Sequence, residues 1–206
     1  MEEDDDTLFD QSLAGTMDLE GRLLVAMPGI GDDRFHRSVI FVCAYSDEGA
    51  MGIIVNRPNE KLSFKEVASH LNIWEESKDQ MGSTPVDIPV MAGGPVEANR
   101  GFVLHSPDYD NGEYTLKTGC GVRMTATLDV LQSIVKGEGP QKSLIALGYA
   151  GWAAGQLEEE ILANGWLTMD TDPDILFALP FKARYDAALG LLGIDGTHLS
   201  SFKGNA

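Results

Sequence analysis

The chain has 206 residues, and 32 Asp and Glu against 15 Lys and Arg give it a formal charge of −17 at pH 7. Proteins bind DNA and RNA largely through Lys and Arg at the phosphates, so this balance argues against direct nucleic-acid binding and against an anionic membrane surface. The two cysteines are too few for a disulfide framework, and no apolar run reaches the roughly 20 residues that span a bilayer. We therefore expect a cytoplasmic protein with no membrane contact.

The first nineteen residues differ in composition from the rest of the chain. Residues 1–19 are acidic and show no sustained hydrophobic periodicity, which predicts a disordered N-terminal segment. No linker, repeat or low-complexity tract interrupts the remainder. We expect residues 20–206 to form a single domain, a size at which one core is usual.

The first part of the domain is rich in predicted strands. Leu23–Met27 is a short apolar run that ends at Pro28-Gly29, a turn signal. Ser38–Tyr45 and Ala50–Asn56 are rich in β-branched and aromatic residues, and the four residues between them predict a hairpin loop. Further along the chain, Val86–Met91, Gly101–His105 and Leu144–Leu147 also have the composition of strands.

Helices are predicted mainly in the second half. The first begins at Ser63, where Glu66 three residues later completes a capping box. Thr127 is the expected N-cap of a second helix that Gly137 closes. Residues 156–164, with Gly165 at the C′ position, and residues 181–192 have helical patterns as well. Strands cluster early and helices late without regular alternation, which favours an α+β fold.

Catalytic signatures are missing from the sequence. It has no P-loop, no nucleophile elbow, no zinc-protease motif and no CxxC pair. The four histidines share no metal-ligand spacing, and we predict no metal site, no cofactor and no catalytic residue. A non-enzymatic protein is favoured, although the sequence leaves the existence of an activity open.

Two candidate sites remain. Arg37, Asn56, Arg100 and His105 are polar residues beside predicted strand ends, where they could bind an anionic ligand or serve as partners for buried carboxylates. Cys43 lies in an apolar strand and is a candidate redox residue. A buried thiol there would be inert, because burial raises its pKa, so packing is the favoured interpretation.

Four blocks of this sequence together resemble the AlgH-like family of bacterial proteins, also called UPF0301, DUF179 or YqgE. The blocks extend from near residue 20 almost to the C-terminus, and their order and spacing make the resemblance specific. Their most distinctive stretches are Ala26–Pro28, Gly49–Gly52, Val55–Pro58, Gly93–Pro95, Arg100–His105, Ala146–Trp152, Gly155–Ile161, Asn164–Leu167 and Leu192–Asp195.

The resemblance implies an α+β fold in which a bifurcated, mostly antiparallel sheet folds into a pseudo-barrel flanked by helices. It also implies a transcriptional-regulator label, which on charge grounds would act without direct DNA contact, through a protein or small-molecule partner. The family usually has His two residues after the cysteine and Trp after the late arginine, where this chain has Tyr45 and Tyr185. The first difference removes the nearest base for Cys43 and weakens any thiol chemistry.

Overall fold

The computed structural model describes residues 17–76 and 88–194, so residues 1–16 of the predicted disordered segment and residues 86–87 of one predicted strand lie outside it. The described residues form nine strands and six α-helices. The strands are β1 (Arg22–Ala26), β2 (Val39–Ser46), β3 (Gly49–Ile54), β4 (Val90–Ala92), β5 (Val96–His105), β6 (Thr115–Lys117), β7 (Arg123–Thr125), β8 (Ser143–Ala153) and β9 (Trp166–Asp170). The helices are α1 (Phe64–His70), α2 (Ile73–Glu76), α3 (Leu128–Lys136), α4 (Gln156–Leu162), α5 (Pro173–Phe177) and α6 (Phe181–Leu191).

The strands join in the order β6-β7-β5-β8-β3-β2-β1-β9. All of these neighbours are antiparallel, and β4 adds a parallel pairing to β8. On one edge of β8, Ile145–Leu147 pair with β4, whereas Ala150–Ala153 pair with β3. The sheet therefore divides along β8, which confirms the predicted α+β fold with a bifurcated, mostly antiparallel sheet that curves into a half-barrel flanked by helices.

Gly148 lies at the point where β8 changes partners. Its φ of +72° is in the left-handed region, and a Cβ there would lie 2.4 Å from the carbonyl oxygen of Gly94. The backbone of the segment before β5 passes this closely because residue 148 has no side chain. Two features therefore require glycine at position 148: the left-handed dihedral angle and the close approach of the Gly94 carbonyl.

The core lies on both sides of the sheet because its central strands are apolar on both faces. Val39–Cys43 of β2 are all buried, with one alternate set in the half-barrel interior and the other beneath α4. A third cluster packs α1 and α3 against β5 and β8 through Val67, Ile134 and Ile145. Of the described helices, none is long and apolar enough to cross a membrane.

Several predicted boundaries are wrong in informative ways. β5 begins at Val96 and β8 continues to Ala153, both well beyond the predicted strands, because Gly-rich stretches at the bend hid their continuation. β9 was not predicted at all. At the end of α4, Asn164 rather than Gly165 takes the left-handed conformation with φ of 58°, and Gly165 N–H instead closes on the carbonyl of Glu160 at 2.7 Å.

The predicted caps are better placed. Ser63 and Glu66 form the capping box of α1, with each side chain bonded to the other residue's backbone N–H. Gly137 ends α3 in the left-handed conformation. The predicted N-cap Thr127 precedes α3 but makes no capping hydrogen bond; its hydroxyl accepts from Asn111 Nδ2 at 3.3 Å.

Candidate functional site

Arg37 and Asn56 lie side by side. The Asn56 amide donates to the Arg37 carbonyl at 2.8 Å and accepts from the Val39 N–H at 2.9 Å, so it fastens the loop before β2 to the end of β3. The Arg37 guanidinium lies 4.4 Å from the ring centroid of Tyr185 and donates to Asp186 at 2.7 Å. This pair therefore connects the loop to α6.

His105, at the end of β5 and five residues after Arg100, is fully buried. Its Nδ1 lies 2.9 Å from the Ser106 carbonyl and must donate there, which leaves Nε2 to accept from Thr125 Oγ1 at 2.9 Å. Thr125 Oγ1 in turn lies 2.9 Å from Thr115 Oγ1, which accepts from the Asn111 N–H. The neutral imidazole is thus held at the end of a hydrogen-bonded chain.

Stability should decline on acidification because of His105. Burial lowers the pKa of His105 below its ordinary 6.5, so the unfolded chain binds a proton that the native imidazole resists. The stabilisation is complete above about pH 6.5 and is lost as the pH falls below that value. Urea unfolding from pH 5 to pH 8 should show this slope, and His105→Asn should flatten it. If the stability of His105→Asn falls equally steeply with pH, His105 is not the group responsible. His70→Asn changes an exposed histidine and is the control, which should keep the slope of the unmodified protein.

Arg100 is exposed on β5, where it donates to Glu97 at 3.0 Å and lies 5.3 Å from the ring centroid of Phe102. Of the four predicted ligand-binding residues, only Arg100 lines either of the clefts described below. Thr125, the partner of His105, lines the same cleft as Arg100. The structure thus brings Arg37 next to Asn56. It does not bring His105 into the cleft of Arg100, because Thr125 lies between them.

Cys43 is completely buried in β2, and its Sγ lies 3.7 Å from the Phe41 carbonyl. Burial raises the pKa of the Cys43 thiol far above its ordinary value, with smaller contributions from Cys120 and Glu20. A thiol that stays protonated is a poor nucleophile. The geometry therefore favours packing over redox chemistry, while Cys120 is exposed and free.

Two further arginines donate hydrogen bonds to backbone carbonyls instead of pairing with a carboxylate. Arg57 donates to the carbonyls of Arg34 and His36. Arg184, only 2% exposed, donates to the carbonyls of Leu179 at 3.0 Å and Val55 at 2.5 Å, and burial lowers its pKa to about 10. No described carboxylate is buried, and both arginines instead hold loops to the sheet through backbone carbonyls.

One cleft of about 390 Å³ lies between α1 and α3, over β5 and β8. We call it the α1/α3 groove. Its lining is mostly apolar, and Arg100 and His70 are its ionisable members. Leu71 and Leu128, which also line it, are 41% and 51% exposed. Exposed leucines beside an apolar depression are typical of a binding surface.

A second cleft of about 480 Å³ lies between α4 and the loop that precedes β2, and we call it the aromatic cleft. Phe35 and Trp152 line it with their rings nearly parallel, 22° apart in plane and 6.4 Å between centroids. Trp166 packs against both rings. Glu160 lines the cleft and accepts through Oε2 from the indole N–H groups of Trp152, at 3.0 Å, and Trp166, at 2.7 Å.

Sequence reasoning missed this second cleft. Trp152 and Trp166 are both buried, and the carboxylate shared between them was not foreseen. The available signal was an acid on a short helix between two Trp-bearing strands, since β8, α4 and β9 fold back on one another. Among the described residues, no group of three or more His, Cys, Asp and Glu side chains could hold a metal ion.

The fold and these clefts define a small α+β domain with two clefts beside a divided sheet, and the comparisons place it within one family. The sequence model of the AlgH-like family matches residues 23–197. A UPF0301 protein of Bradyrhizobium sp. strain BTAi1 is 52% identical over 190 residues, 91% of this chain and 88% of that one. A UPF0301 protein of Ruegeria pomeroyi is 50% identical over 92% of this chain and all of its own. The chain belongs to the AlgH-like (UPF0301) family.

Solved structures agree with that assignment. The AlgH protein from Pseudomonas aeruginosa has a TM-score of 0.70 and 38% identity, with full coverage of both chains. A protein from Corynebacterium diphtheriae has a TM-score of 0.64 over 92% of this chain and 97% of its own. At 19% identity, the second likeness shows the fold alone.

Proposed function

We propose that this protein is a non-enzymatic regulatory protein that docks an amphipathic helical segment of a partner protein in the α1/α3 groove. The observation that carries the proposal is the open apolar groove with Leu71 and Leu128 exposed along it. Helix-in-groove binding uses such a surface, with apolar residues of the partner at helical spacing as anchors.

The exposed leucines favour a helix over a small molecule. A compact ligand seated at the bottom of the groove would leave much of Leu71 and Leu128 in water. A helix about 10 Å across, laid between α1 and α3, would cover both. Burying apolar surface contributes about 25 cal/mol per Å² to binding. A helix, which buries more apolar area than a compact ligand, therefore gains more binding free energy.

Charge further restricts the partner. The ionisable groups that line the groove are Arg100 and His70, in a chain of formal charge −17. The exposed pair of Arg100 with Glu97 is worth little and can be exchanged for another carboxylate. We therefore propose that acidic residues flank the apolar face of the partner helix and reach Arg100, while salt screens the more distant acidic surface beyond about 8 Å.

The positions of Cys43 and His105, the two residues best suited to catalysis, favour a binding role over an enzymatic one. Cys43 is completely buried, which raises the pKa of its thiol, and both ring nitrogens of His105 are already hydrogen-bonded. Neither can reach a substrate without unfolding its surroundings. Arg57 and Arg184 are likewise engaged, because their guanidinium groups donate to backbone carbonyls.

The test uses two synthetic amphipathic helices with the same leucine face, one with glutamates and the other with lysines on the opposite face. Fluorescence anisotropy should show the glutamate helix binding at least about tenfold more tightly, which corresponds to about 1.4 kcal/mol. The outcome is discriminating because the overall charge of −17 favours the lysine helix. Equal binding, or tighter binding of the lysine helix, would contradict the proposal.

A matched pair of variants locates the site. Leu128→Glu places a charge in the groove and should weaken the glutamate helix by about tenfold or more. Leu191→Glu makes the same change on α6, where the leucine is 60% exposed, and should bind like the unmodified protein. If decanoate binds and neither helix does, the occupant is a small amphiphile and the proposed partner is wrong.

A further inference from the structure

The aromatic cleft is built independently of the α1/α3 groove. One wall is the loop with Ile30 and Phe35, the other is α4 with Gln156 and Glu160, and Trp152 lies between them. Its volume of about 480 Å³ is within the range of about 300–1,000 Å³ that is typical of small-molecule sites.

The Glu160 carboxylate is held in one position. Oε2 accepts from both indoles, and Oε1 accepts from Gln156 Nε2 at 2.9 Å. The Gln156 side chain is fixed in turn, because its oxygen accepts from the Ala153 N–H at 3.0 Å. A carboxylate offers about four acceptor positions, so three are occupied and one remains on Oε1. Glu160 is thus a pre-positioned negative charge with room for one more donor.

The remaining charges of the cleft disfavour an anion. Asp32 and Arg34 line it and are paired with each other, Arg34 Nη2 to Asp32 Oδ2 at 2.6 Å and Arg34 Nε to Asp32 Oδ1 at 3.0 Å. The indole N–H groups, which could have bound an anion, are used by Glu160. An incoming anion would meet Glu160 and Asp32, whereas a cation would meet the Glu160 carboxylate, whose donors among the described residues are all uncharged.

The aromatic walls favour a flat ligand. Phe35 and Trp152 present nearly parallel rings, and aromatic faces attract cations within about 6 Å of the ring centroid. Arg34 already lies 5.9 Å from the centroid of Phe35, which shows that a guanidinium is accommodated at the rim. A planar cation could therefore contact aromatic faces and the carboxylate at once.

From these contacts we infer that the aromatic cleft is a binding site for a small planar organic cation of the amidinium or guanidinium type. The cation donates one N–H to Glu160 Oε1 and packs its flat body against Phe35 and Trp152. This site is separate from the proposed docking groove and does not depend on it.

Three probes of almost the same shape test the charge preference: benzamidine is cationic, benzamide neutral and benzoate anionic. Calorimetry and the change in tryptophan fluorescence should show benzamidine binding at least about tenfold more tightly than benzamide, as expected for a hydrogen bond to a charged group. Benzoate should not bind detectably. Equal binding of all three, or tighter binding of benzoate, would overturn the inference.

Variants on α4 and in the loop locate the contact. Glu160→Gln should abolish the preference for benzamidine over benzamide. Glu159→Gln removes the same charge from an exposed position of the same helix and should leave the preference unchanged. Because Glu160→Gln also disturbs the two indoles, Phe35→Leu provides a second test: it leaves Glu160 in place and should weaken benzamidine about tenfold. Unchanged affinity in Phe35→Leu would contradict the site.

Discussion

Alanine at Gly148 should destabilise the protein by more than about 4 kcal/mol, a size that few single substitutions reach. The added Cβ would lie 2.4 Å from the Gly94 oxygen, 3.0 Å from the Val96 oxygen and 3.1 Å from the Ala98 Cα. These are all backbone atoms of the crossing segment, so no side-chain rotation can relieve the contact. The cost of a left-handed residue, about 1–2 kcal/mol, is added to the clash.

Gly155→Ala separates the two contributions to that loss. Gly155 has nearly the same φ, +77°, but no atom lies within 4 Å of its would-be Cβ. It should therefore lose only about 1–2 kcal/mol from the dihedral angle. Urea unfolding followed by near-UV circular dichroism compares the two proteins, and if Gly148→Ala does not fold, the loss of its near-UV signal shows the same difference. Equal unfolding midpoints would show that the bend tolerates a side chain.

Arg184→Ala is expected to cost about 2–5 kcal/mol, the usual range for truncating a long buried side chain to alanine. The guanidinium connects α6 to the carbonyl of Val55 beyond β3 and to that of Leu179 beyond α5. Its removal leaves the buried Val55 carbonyl without this donor, and an unsatisfied buried group costs about 1–3 kcal/mol. The stem of Arg184, whose guanidinium lies 4.8 Å from the ring centroid of Phe181, is lost as well.

Two companion substitutions define what the arginine contributes. Arg184→Met keeps an apolar stem and removes the donors, so it should recover part of the loss and leave the hydrogen-bond share. Lys182→Ala changes an exposed cation on the same helix and should stay within about 0.5 kcal/mol. Equilibrium urea unfolding measures all three. If Arg184→Ala behaves like Lys182→Ala, the buried guanidinium does not hold α6 to the sheet.

Local signals in the sequence predicted the parts of the fold that depend on neighbouring residues. The capping box of Ser63 and Glu66, the left-handed Gly137 and the hairpin between β2 and β3 each depend on residues within one turn. The α+β class followed from the order of the elements. The divided sheet was predicted only from the resemblance to the family, because no local sequence pattern indicates it.

The sites were harder to predict because their contacts join distant positions. Glu160 meets Trp152 and Trp166 only because β8, α4 and β9 fold back together. Arg184 reaches Val55 across more than half of the chain. Arg100 was singled out as a polar residue near a strand, and it does line a cleft, but α1 and α3 that complete the groove are far from it in sequence. Ligand binding by Arg37, Asn56 and His105 stays a prediction.

The pairing of early strands with late ones has a consequence for how the chain is made. Gly49 of β3 pairs with Ala153 of β8, and Arg22 of β1 pairs with Asp170 of β9. On the ribosome, the hairpin of β2 and β3 emerges long before the strands that pair with it. The apolar residues of β2 are then exposed, and they can associate with strands of other unfinished chains. Such distant pairing also slows folding once synthesis is complete. During translation, the many acidic residues would therefore keep unfinished chains apart by mutual repulsion.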